Sequence, residues 1–190
     1  MEKADVYSKT FDQEDFTKEP LVKGEYEKCS FINCDLSTSD LFYISFTDCI
    51  FKDCNMSNAK LKDTAFRNIN FSGCKMLGLH FENCNPFLLE MSFDHCTLTH
   101  SSFYEVKLKK TSFRHCILHE VDFTGADLSG SSFQGADLSG AVFEQTTLEQ
   151  ADFRDAQYFI INPEINRIKK AIFSSDALSG LLTQYQVKIE

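Results

Sequence analysis

The chain of 190 residues contains no tryptophan, no phosphate-binding glycine loop and no strand-turn-helix nucleophile elbow. The absent motifs remove the common signatures of nucleotide-dependent and serine-hydrolase chemistry. No set of paired acids, bases and nucleophiles replaces them, so the expectation is a protein that is not an enzyme, with no cofactor and no metal. Cationic excess is lacking too: 28 acidic against 19 basic residues give a net charge of -9. That balance disfavours direct nucleic-acid binding, which depends on neutralising phosphates and releasing their counterions. Met1 to Phe11 holds no apolar run, so neither a secretory signal nor a membrane span is expected, and the expected location is the cytoplasm.

What is present is a period. Between Ala126 and Phe143 a large apolar residue recurs every five positions, as Leu128, Phe133, Leu138 and Phe143, with a small residue two places before each. Neither a helix nor a plain strand has that period. The same count runs from Phe11 to Phe81, slips by two residues around Asn83–Leu88, resumes at Leu88 and Phe93, and continues to Tyr158. An exposed ladder of that length is not tolerated by a soluble protein, so the large residues are expected to point inward. Alternation along extended chain sends the residue two before each of them inward as well.

Polar turn formers follow each large residue, so the chain turns a corner every five residues. Four corners close a square coil of twenty residues, and stacked coils pair their backbones at about 4.8 Å. The expected organisation is a short lead-in over 1–10, a solenoid over 11–158 with a register slip near 83–92, and a last irregular coil with a helix and strand cap over 159–190. In that cap Ser174 or Ser175 is expected to start a short helix carrying Leu178, Leu181 and Leu182 on one face, and Val187-Lys188-Ile189 alternates like a terminal strand. An apolar cap of this kind is also a candidate dimer surface.

This pattern of A-D-L-S-G and A-D-F-R-D units resembles the pentapeptide-repeat proteins. The resemblance implies an all-β solenoid, a right-handed quadrilateral β-helix. On a twenty-residue coil Phe11, Phe31, Phe51, Phe71, Phe93, Phe113, Phe133 and Phe153 fall on one face as a ladder, which accounts for the 19 phenylalanines as core.

All eight cysteines sit in or near the small inward slot, with Cys34, Cys54, Cys74, Cys96 and Cys116 stacked in successive coils. They read as buried free thiols. His95 and His115 occupy equivalent outward corners one coil apart, and their neighbours Cys96 and Cys116 point inward, so a shared cysteine/histidine zinc site has the wrong geometry.

The acidic residues divide into two groups. Asp15, Asp35, Asp127, Asp137 and Asp152 precede central residues, where the repeat favours a short polar side chain. Asp63, Glu82, Glu105 and Glu144 fall outside that slot and line one face, with Asp40 and Asp122 adjacent. Spaced negative charge of this kind is the candidate partner-binding surface.

Within the family, Cys74–Gly78, Ser101–Tyr104 and the tail Asn162–Ile168 followed by Leu181-Leu182 are similar to the subgroup that protects DNA gyrase from quinolones, albicidin and microcin. That resemblance implies an acidic, DNA-mimicking rod that binds a type II topoisomerase, either gyrase or topoisomerase IV. It also implies a homodimer through Leu178, Leu181, Leu182, Tyr185, Val187 and Ile189. The alternative is an interaction scaffold with no topoisomerase role.

Overall fold

The computed structural model describes residues 4–188. It is a four-sided β-solenoid of about eight coils. The strands are short because each side of the square accommodates few residues before the next corner. They are β1 (Ala4–Tyr7), β2 (Thr10–Asp12), β3 (Gly24–Glu27), β4 (Ser30–Ile32), β5 (Ser45–Thr47) and β6 (Ile50–Lys52). After them come β7 (Ala65–Arg67), β8 (Ile69–Ser72), β9 (Met91–Asp94), β10 (Phe113–Arg114), β11 (Asp152–Phe153) and β12 (Ile172–Phe173). All pairing is parallel between successive coils, in the orders β1-β3-β5-β7 along face 1 and β2-β4-β6-β8-β9-β10 along face 2. Single bridges such as Asp35 to Asn55 and Asp122 to Val142 continue the pairing along faces 3 and 4.

The first coil begins before Phe11: β1 is already paired with β3, so residues 4–10 belong to the solenoid and are not a lead-in. At the other end Asp152 pairs with Ile172, and the Phe153 and Phe173 rings stack at 5.1 Å, so the repeat extends beyond 158.

The phenylalanine ladder is continuous along face 2. Phe11, Phe31, Phe51, Phe71, Phe93, Phe113, Phe133 and Phe153 stack nearly parallel with ring centroids 4.6 to 5.3 Å apart. A second aromatic column meets it edge to face across the interior. In the first half that column is on face 1, as Tyr26, Phe46 and Phe66; in the second half it is on face 4, as Phe81, Phe103, Phe123 and Phe143. The exchange of faces coincides with the register slip. Before it Phe51 pairs with Phe71, and across it Phe71 pairs with Phe93.

Two inward positions differ from expectation. Leu88 is 65% exposed at φ +56°, and Leu89 packs against the core in its place. The Asn85 N–H bonds the Thr64 carbonyl and the Glu90 N–H bonds the Phe66 carbonyl, and the segment between them bulges outward. Pro86, which carries no N–H, falls in that bulge, where no ladder bond is lost. Tyr158 is likewise turned out, 68% exposed at φ +58°, and Phe159 is buried instead.

The small inward slots share one chemistry. Cys54 Sγ donates to the Phe31 carbonyl, Thr64 Oγ1 to Leu41, Ser131 Oγ to Leu108 and Thr146 Oγ1 to Phe123, always 23 residues back. A buried polar atom is tolerated because the previous coil supplies its acceptor. All eight cysteines are buried and free, as the repeat requires.

The cap is built from two short 3-10 turns, Ser175–Leu181 and Thr183–Tyr185. Ser174 makes no side-chain cap bond there; its hydroxyl accepts the Asp155 N–H at 3.0 Å and ties the cap to the last coil. Val187 and Lys188 form no strand, and Ile189 lies outside the described residues.

Candidate functional site: an acidic face and an apolar end

Face 4 carries the candidate acidic residues. Its inward residues Leu61, Phe81, Phe103, Phe123 and Phe143 are buried, which fixes the side chains on either side of each as outward. Glu82, Asp122 and Glu144, each adjoining one of these residues, therefore point outward, and Asp63 and Glu105 stand at the corner two residues on, at φ +53° and +55°; together they follow one side of the rod from the third coil onward. Backbone bonds hold the coils in step beneath them: the Asp63 N–H donates to the Asn83 carbonyl, and the Gly125 N–H donates to the Glu144 carbonyl, both at 2.8 Å.

The charges are not an unbroken row. His80 Nδ1 lies 2.9 Å from Glu82 Oε1, and Asp122 alternates along its column with Ser102 and Val142. Asp40 is drawn out of the group. The Phe42 N–H, and then the Lys23 ammonium at 3.2 Å, hold its carboxyl below the ordinary carboxylate range. Phe42 itself lies between Lys23 and Lys62, so the first coils of this face present cations over an aromatic ring. Glu105 acts locally, its charge raising the pKa of the exposed Tyr104 phenol.

The remaining aspartates behave as repeat residues. Asp35, Asp127 and Asp137 each accept the N–H two residues on, from Ser37, Ser129 and Ser139 at 2.8 to 3.2 Å, and so shape the corners.

At the C-terminal end, Leu178, Leu182, Tyr185 and Val187 are exposed, whereas Leu181 turns inward and packs on the core. The three leucines thus do not share one face. Tyr185 is anchored by its hydroxyl, which donates to Glu164 Oε1 at 2.7 Å. Sequence reasoning missed a second apolar patch. Val142, Tyr158, Ile160 and Ile165 are exposed around a cleft of about 330 Å³ that also includes Glu144. The two apolar neighbours Tyr158-Phe159 were the available signal, since only one of them fits the slot. Phe87 and Leu88 form a smaller exposed pair at the slip, with the Arg67 guanidinium 5.8 Å from the Phe87 ring.

The stacked square coils, the inward phenylalanine ladder and the corner aspartates define a repeat protein of a specific class. The model of the pentapeptide repeat region matches residues 25–86 and 79–153, and the chain belongs to the pentapeptide repeat family. Among solved structures it is similar to QnrB1, a plasmid-mediated fluoroquinolone resistance protein, at 20% identity and a TM-score of 0.51 over 97% of both chains. HetL, a pentapeptide repeat protein involved in heterocyst differentiation regulation in Nostoc sp. strain PCC 7120, matches at 20% identity and a TM-score of 0.47, covering 88% of this chain and 81% of that one. A search of curated proteins returns no match. No helix among the described residues is long and apolar enough to cross a membrane.

Proposed function

We propose that the protein is a non-enzymatic, DNA-mimicking partner of a bacterial type II topoisomerase, DNA gyrase or topoisomerase IV, that protects it from a poisoning drug or toxin. The observation that carries this reading is the placement of Asp63, Glu82, Glu105, Asp122 and Glu144 along one side of a β-solenoid in a chain of net charge -9. Carboxylates fixed to a rigid backbone present negative charge at spaced positions without the entropy cost of ordering a flexible chain. A surface built to accept a DNA phosphate backbone is electrostatically complementary to such a row. The fluoroquinolone-resistance role of QnrB1 is consistent with this reading.

The apolar end supports a homodimer. Exposed Leu178, Leu182, Tyr185 and Val187 lie on a cap seated on the last coil, and a second copy covering them would extend the acidic rod.

An interaction scaffold for another protein is the second reading, favoured by the interruption of face 4 by Lys60, Lys62 and His80. Gyrase supercoiling titrated with this protein, with and without a fluoroquinolone, separates the two. Recovery of supercoiling that is lost when Asp63, Glu82, Glu105 and Glu144 are all changed to Lys supports mimicry. Unaltered binding and protection by that variant removes it, and absence of any gyrase binding leaves the scaffold.

A further inference from the structure

We propose that Asp94, His95 and His115 form a surface site for a borderline divalent ion of the zinc, cobalt or nickel type. The three side chains come from two successive coils, brought side by side by the pairing of Asp94 with Arg114 in β9 and β10. Their ligand atoms all lie within 4.8 Å of one another. The Asp94 carboxylate faces both rings: Oδ2 is 3.0 Å from His95 Nδ1, and Oδ1 is 3.7 Å from His115 Nδ1.

The repeat itself creates the convergence. His95 and His115 hold the same corner position, each at φ +53°, so their rings stack with centroids 4.7 Å apart. The corner above them is Gly135, where an added Cβ would lie 2.7 Å from His115 Cδ2. The Cδ2 edge of the ring thus faces the glycine and Nδ1 is turned back toward Asp94. Both rings are partly exposed, and a modest turn of each brings the two Nδ1 lone pairs onto an ion held by the carboxylate. Each neutral imidazole then carries its proton on Nε2.

Two nitrogens and one carboxylate oxygen suit zinc, cobalt(II) or nickel and not calcium or magnesium, which prefer all-oxygen sets. The outward side stays open to water. The cysteines take no part, because Cys96 and Cys116 are buried on the other side of the backbone. Arg114 lines the same cleft, and its positive charge opposes the ion.

Cobalt(II) titration of the full-length protein, followed by visible absorption and calorimetry, tests the site. One ion per chain is expected, with nitrogen/oxygen bands and no thiolate charge transfer. Binding is expected to weaken at least about tenfold in His115→Gln and in Asp94→Asn. It should tighten about threefold in Arg114→Gln, a gain that misfolding does not produce. Thiolate bands, no saturable binding, affinity unchanged from the native chain in His115→Gln or Asp94→Asn, or weaker binding in Arg114→Gln would each overturn the proposal.

Discussion

A single slot in this fold asks for a small side chain with a donor that reaches the carbonyl 23 residues back, and cysteine, serine and threonine all satisfy it. Cys54→Ser is therefore expected to cost less than about 1.5 kcal/mol, whereas Cys54→Leu overpacks the interior and costs about 1 to 3 kcal/mol; urea unfolding of the two variants checks the contrast. Burial pushes the Cys49 thiol up to about 11. The folded state then keeps a proton that the unfolded chain releases above its ordinary thiol value. The stability from Cys49 is full below about pH 8.5 and is lost as pH rises toward 11. Unfolding midpoints measured from pH 8 to 11 should fall for the native chain and fall less for Cys49→Ser. Phe113 is stacked on Phe93 and Phe133 and meets Phe103 and Phe123 edge to face, so Phe113→Ala is expected to cost about 3 to 5 kcal/mol in the same assay.

Among the elements, the cap depends on one close approach. The Gly180 carbonyl accepts the Ile161 N–H at 3.0 Å, and a Cβ at Gly180 would run into the Phe159 carbonyl oxygen and ring. Gly180→Ala is expected to lift the cap from the last coil while leaving the solenoid folded. Hydrogen exchange should show protection lost over 175–185 and retained at β9. The slip shows a limit of sequence reading. Leu88 and Leu89 are equally apolar, so hydrophobicity does not rank them; Phe159 is more apolar than Tyr158, but the count of five points to Tyr158. The corner decides, because one member of each pair must take a positive φ and turn outward.

For the whole molecule, each coil contacts mainly its neighbours, so stability is a sum of repeats and interfaces. The proposed dimer rests on the cap alone. Leu178→Glu combined with Leu182→Glu is expected to halve the mass seen by light scattering without changing the melting of the coils. An unchanged mass would remove this interface. Charge on face 4 should also make partner binding weaken as salt rises, more steeply for the native chain than for the Glu82→Gln, Glu105→Gln variant.

The five-residue period, the square coil, the inward phenylalanine ladder and the buried thiols were legible from residues alone, because each repeats often enough to outweigh local accident. The coil positions of the candidate acidic residues were legible too, since the count of five fixes where each falls on the coil. Their surroundings were not: whether Lys23 withdraws Asp40, whether His80 covers Glu82, and which of Leu88 or Leu89 faces in depend on contacts between coils. The approach of His95 and His115 to a shared carboxylate belongs to the same class. A repeat determines its own geometry from sequence, whereas the groups at its surface acquire partners only when one coil is stacked on the next.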